Sequence, residues 1–226
     1  MQYGTARAPW LELLDFWFPE GRRLDIDAAT HRDCWRWRMR GGADEAIIHR
    51  FTPLTVRAAA GELDHWADEA EGRLALIIVL DQFSRSVWRN SRQAYAQDTA
   101  ALSLSLEGLN NGHYAALETP WFRVVHGLPL GHCERPDHLE RMQRLITLRQ
   151  EIAAQAPPSL QPIYHSLVQQ ARDVQQIIAR FGRHPHRNQL LGRMARAAEQ
   201  QYIKSGQFPH LRAFQEEGPA RERAQD

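Results

Sequence analysis

Cysteine is scarce: the chain has two, Cys34 and Cys133, in 226 residues. Neither belongs to a CxxC pair, which excludes zinc-ribbon and thioredoxin-type motifs. Two distant thiols in a chain of this length fit a reducing compartment better than a disulfide framework. Excess charge of one sign is missing too. The formal net charge is +1, so there is no global field to attract nucleic acid or an anionic membrane surface, and any charge that matters must be local. The longest apolar run, LALIIVL at 74–80, is far too short to cross a bilayer. The opening MQYGTARAPWLELLDFWF carries Glu12 and Asp15 where a secretory leader would be uninterrupted and apolar. No leader is therefore expected, and the cytoplasm is the default location. Strand candidates are too few to build a sheet.

What is present reads as helix. A hydrophobic content of 43% is enough for one sizeable core. Trp10, Leu13, Leu14, Trp17 and Phe18 share one helical face behind Pro9, and Pro19 and Gly21 end that helix. Residues 22–42 are ambiguous, because Trp35 and Trp37 alternate with Arg36 and Arg38 as in a strand-like or irregular segment. Helical pieces are expected at 43–51 and 53–60, divided at Pro53. LALIIVLDQF at 74–83 is apolar on all sides, and with no sheet to join it is assigned to a buried helix. Further helices are expected at 93–109, in short turns over 118–131, and at 137–155, 160–181 and 196–204, with Gly182 as a left-handed cap. The expectation is an all-α single domain over residues 1–215, built from antiparallel helical hairpins, followed by a disordered polar tail at 216–226.

Three stretches could carry chemistry. In DQFSRSVWRN (81–90), Asp81 and Arg85 are four apart and can pair on a helix. Gln82, Ser86 and Arg89 share a neighbouring face, directly after a run that must be buried. A structural polar network is the leading reading there, and a cleft wall the sharper one. In LPLGHCE (128–134), His132 and Glu134 have a spacing that suits two metal ligands or an acid–base pair, but such pairs also arise by chance, and taken alone the motif reads first as a helix-start carboxylate beside a hydrogen-bonded histidine. In RFGRHPHRN (180–188), five of nine residues are Arg or His. His184 precedes Pro185 and is pushed to an extended conformation. Pro185 can then open a turn that gathers Arg183, His186, Arg187 and Asn188 around one point, as an anion site requires. A solvated basic loop has equal weight. His184 and His186 also form an HxH pair, so a metal is a lesser alternative.

Taken together, these residues resemble a bacterial family of uncharacterised proteins, domain of unknown function 924. The resemblance covers roughly residues 10–204. It is carried by LLDFWF (13–18), by LALIIVLDQFSRS, by LPLGHCE and by RFGRHPHRNQLLGR (180–193). Ser84 and Ser86 stand where the family has Pro and Asn, His184 where it has Phe, and Val174 lies near a position that is usually His. Asp98 and Glu199 match acidic positions of the family. The resemblance implies a tetratricopeptide-like all-helical fold and assigns no activity or cofactor.

The three motifs are expected to converge, with Asp81, Gln82, Arg85 and Arg89 meeting His132 and Glu134, and with Arg183, His186, Arg187 and Asn188 closing the group. The surplus positive charge would hold an anionic small molecule, with no metal at the site. Three function classes compete: a small-molecule-binding protein or enzyme, a helical-repeat module gripping a peptide, and a purely structural polar core. No basic stripe with interleaved aromatics runs along a helix, so no nucleic-acid partner is expected. WRWRMR (35–40) is a local exception and a candidate contact surface.

Overall fold

The chain is all helical in the computed structural model, which describes residues 7–209; no strand occurs among them. The first helices are α1 (Leu11–Trp17), α2 (Ala28–Met39) and α3 (Asp44–Ala46). Helix α3 widens into a π turn over Ile47–Phe51 and continues as α4 (Thr52–Ala59). A 3-10 turn, Asp64–Asp68, leads into α5 (Ala70–Ile77), which widens over Ile78–Phe83 and ends as α6 (Ser84–Val87). A second 3-10 turn, Arg92–Tyr95, precedes α7 (Asp98–Asn110), followed by α8 (His113–Ala116), α9 (Pro120–His126) and α10 (Leu128–His132). The long α11 (His138–Gln155) and α12 (Gln161–Phe181), a 3-10 turn at Pro185–Arg187 and α13 (Ala197–Ser205) complete the described chain. The expected tail at 216–226 and the domain boundary at 215 lie outside the described residues.

Local chemistry explains most boundaries. Asp27 caps α2 by accepting from Thr30 N at 2.9 Å, and Thr119 caps α9 by accepting from Phe122 N at 3.2 Å just ahead of Pro120. Gly182, at φ +73°, takes the left-handed position that closes α12. Pro53 has no N–H to offer the preceding turn, and the helix is widened immediately before it. One expectation fails: the alternating Trp–Arg stretch is helix α2, not strand-like or irregular. Its alternation misleads because Arg38 is buried alongside Trp35 and therefore does not mark a solvent-facing position.

The 74–83 segment is the axis of the core, with Leu74 to Val79 almost wholly excluded from solvent. Phe83 sits among Trp17, Phe16 and Phe51, with ring centroids 5.2–6.2 Å apart. Behind it, α11 and α12 form a long antiparallel hairpin. Gln175 reaches Gln143 at 3.1 Å, while Arg149 reaches Leu167 O at 2.6 Å, so sequence positions run in opposite directions across the pair. The shorter elements before this hairpin do not repeat its length.

A buried ion pair ties α2 to the end of α1. Arg38 donates to both Glu20 oxygens at 2.6 and 2.7 Å and to Trp17 O at 3.0 Å, and it lies 4.4 Å from the Trp35 ring centroid. His31 lies beside Glu20 at 3.5 Å and bonds Tyr164 OH at 2.9 Å, which links the pair to α12. Removing one partner of such a pair strands a buried charge. Arg38→Met is expected to lose about 3–5 kcal/mol of stability in urea unfolding. The double variant with Glu20→Gln is expected to recover part of that loss.

Candidate functional site

Asp81 is a carboxylate at 0% exposure directly after the apolar run 74–80. It turns inward because the helix widens at Ile78–Phe83: Ser84 N–H reaches back five residues, to Val79 O. Burial alone would push the Asp81 pKa up; Arg85, His132 and the Gln82 amide outweigh it and hold the group well below the usual carboxylate range. His132 Nδ1 lies 2.9 Å from both Asp81 oxygens. The acceptor is an ionised carboxylate, so Nδ1 carries the proton that bonds it. Gln82 Nε2 donates to Asp81 Oδ2 at 2.5 Å.

From Asp81 the bonds run round a closed ring. Arg85 lies 3.3 Å from Asp81 Oδ1 and donates to Asp98 Oδ1 at 3.0 Å. Arg187 donates to Asp98 Oδ2 at 2.8 Å and to His132 O at 2.9 Å, and His132 returns to Asp81. Asp98 opens α7, where the helix dipole favours a carboxylate. Tyr95 underlies both guanidiniums, 4.4 Å from Arg187 and 5.6 Å from Arg85. Arginine suits these bridging positions because its planar fork serves two acceptors at once; the chain has one lysine, Lys204.

The basic turn forms as its sequence directs, with His184 extended and Pro185 opening a 3-10 turn. Gly131 O accepts from two imidazoles, His184 Nε2 at 2.9 Å and His138 Nε2 at 3.0 Å. This double clamp holds the residue next to His132. Glu134 bonds His184 N at 2.7 Å and pairs with Arg193, so it does not join His132. Arg183 turns away and binds both Glu199 oxygens at 2.7 and 2.9 Å; that pairing brings the Glu199 pKa down to about 2. Arg89 pairs with Asp44, which also accepts from Ser86 Oγ at 2.6 Å.

A recess of about 450 Å³ opens against this ring. Gln82, Arg85, Arg89, His132, His186 and Arg187 line it; Asp81, Glu134, Arg183 and Asn188 do not. The structure thus brings the three motifs together through Asp81, Gln82, Arg85, His132 and Arg187, and places the half-buried Arg183 and Glu134 and the buried Asn188 off the recess wall. Asp98 is the carboxylate that neutralises Arg187. Among the described residues, no group of three or more His, Cys, Asp or Glu side chains is placed to hold a metal.

The family model for a bacterial protein of unknown function, DUF924, matches residues 13–207. The chain belongs to this family. A solved structure of a protein of unknown function from Agrobacterium tumefaciens is 30% identical and superposes with a TM-score of 0.63. The match covers 87% of this chain and 97% of that one. No curated protein matches. The DUF924 assignment accounts for the motifs and the fold and attaches no reaction to them.

Tyr95, Asp44 and Arg149, which complete this DUF924 recess or its supports, had no sequence signal. Tyr95 lies in a polar turn, Asp44 opens a short helix, and Arg149 reads as one of several arginines on α11. Asp98 was visible only as a match to the family.

Among the described residues, four histidines are buried and neutral. Burial, as the largest influence, pushes His31 and His138 down to about 4 and His126 to about 3, and holds His184 well below its usual value. Their folded pKa values lie below the unfolded value near 6.5, so the native state binds fewer protons than the unfolded chain. The corresponding stability is fully present above about pH 6.5 and is lost as pH falls from there toward 4. Thermal unfolding is expected to show a flat melting temperature from pH 7 to 8 and a steep fall below pH 6. His138→Gln, which keeps a donor for Gly131 O, is expected to make the fall shallower by about 1.4 kcal/mol per pH unit.

Proposed function

We infer that the protein binds a small anionic molecule in the recess, with His132 placed to exchange a proton with it. The observation that carries this reading is the polarity of the recess wall: Arg85, Arg89, Arg149 and Arg187 face it together with His132, His184 and His186, and no Asp or Glu does so among the described residues. The carboxylate partners of these arginines, Asp44, Asp81 and Asp98, are not on the wall. A volume of about 450 Å³ lies within the ~300–1,000 Å³ typical of small-molecule sites.

The Asp81–His132 pair gives the site its chemical direction. Asp81 fixes the tautomer, and Nε2 of His132 has no hydrogen-bond partner among the described residues, on a side chain 29% exposed. A base so oriented can take a proton from a bound molecule or from water. Cys133 Sγ lies 3.9 Å from Thr99 Oγ1, and Ser86 Oγ donates to Asp44, so these two groups are engaged elsewhere.

A peptide-gripping helical-repeat face fits less well. The Trp–Arg stretch that would line such a groove has Trp35 and Arg38 buried, and the wall of the recess draws on separate segments from α2 to α13.

The reading is tested with purified protein, inorganic phosphate and a series of aliphatic monocarboxylates, measured by thermal shift and by native mass spectrometry for a molecule retained from the cell. At least one anion is expected to raise the melting temperature. Arg187→Lys, which keeps the charge and loses the fork, is expected to weaken its binding at least tenfold with an unchanged far-UV spectrum, about 1.4 kcal/mol. No stabilisation by any anion, together with a retained neutral molecule, would overturn the reading.

A further inference from the structure

Of the four arginines on the recess wall, three have carboxylate partners: Arg85 has Asp81 and Asp98, Arg187 has Asp98, and Arg89 has Asp44. Arg149 has none among the described residues. It is 6% exposed, on α11, and its Nη1 donates only to Leu167 O at 2.6 Å and to Gln170 Oε1 at 3.2 Å, while its Nε has no partner. Burial, with no opposing carboxylate, lowers its pKa to about 10. A buried cation compensated only by neutral dipoles is costly to the fold, and a cavity-lining one is relieved by a ligand anion.

The surroundings define the rest of the ligand. Leu145, one helical turn before Arg149, packs toward Gly131, where an added Cβ would lie 3.1 Å from it. Gly131 adjoins His132. Leu145, Met142, Leu167, Ala171 and Val174 thus make an aliphatic wall in the same recess that holds the polar ring. The cavity has a lone cation in an apolar stretch and a hydrogen-bonding ring with an open imidazole nitrogen.

We propose that the ligand is an aliphatic monocarboxylate whose carboxylate pairs with Arg149 and whose chain lies along the Leu145–Val174 wall toward His132. This rests on the anion-binding reading of the recess and adds to it the ligand class and the recognising residue. Nη1 is committed to Leu167 O and Gln170 Oε1, so Nη2, which has no partner among the described residues, is the donor left for the carboxylate, and Arg149 then acts in binding rather than in the chemistry.

The test is isothermal titration of the full chain with decanoate, decanol and decyltrimethylammonium, repeated with Arg149→Met and Arg149→Lys. Wild-type protein is expected to bind decanoate at least tenfold more tightly than decanol and to bind the cation not at all. Arg149→Met is expected to lose that preference while still binding decanol, and Arg149→Lys to keep part of it. Equal binding of decanoate and decanol by wild type overturns the proposal without needing any variant to fold. Tight decanoate binding that survives in folded Arg149→Met and falls in Arg187→Lys also overturns it, while leaving the anion-binding reading intact. Failure of every anion, phosphate included, to bind wild type brings down both.

Discussion

The interaction on which the site depends is the burial of the Asp81 carboxylate directly after the most apolar segment of the chain. An ion at 0% exposure is tolerable only where partners surround it. One partner, Arg85, is a single turn on; the others come from distant segments, His132 fifty-one positions later and Arg187 through Asp98 from beyond the α11–α12 hairpin. The need to compensate one charge therefore holds three motifs in one place. The π-helical widening at Ile78–Phe83 belongs to the same constraint, because it turns Asp81 inward while Gln82 keeps its face to the recess.

The compensation is layered, and the layering gives the recess its character. Carboxylates form a back row of Asp44, Asp81 and Asp98, and guanidiniums form the front. Tyr95 supports two of those guanidiniums through its ring without adding charge. The Gly131 carbonyl, clamped by His138 and His184, fixes the backbone that presents His132. The same clamp makes the arrangement sensitive to acid, since both imidazoles must stay neutral to pack there. Arg149 departs from the layering: it has the front-row position without the back-row carboxylate.

Much of this was legible in the chain. The long helices at 138–155 and 161–181 and the cap at Gly182 follow from periodicity and glycine chemistry. The assignment of 74–83 to a buried helix followed from the lack of other strands. The i,i+4 spacing of Asp81 and Arg85 pointed to their contact. The sequence misled where a charged residue was buried. Arg38 broke the apolar pattern of α2, and Glu134 looked like a partner for His132 when its geometry commits it to Arg193 and the His184 amide. Hydropathy patterns assume that charge faces water, and they fail wherever an ion pair is folded inside.

Residue order alone determined that the chain is helical, where its longer helices stop, and which three short stretches carry concentrated polar chemistry. Those are properties of local spacing, of proline and glycine, and of side chains within a turn of one another. Tertiary structure alone decided that Asp98 bridges Arg85 and Arg187, that Tyr95 lies beneath them, and that Arg149 stands on a cavity wall with no counter-ion among the described residues. These depend on which groups from distant segments arrive at the same buried point, and Coulomb and desolvation energies act on that distance in space rather than on separation along the chain.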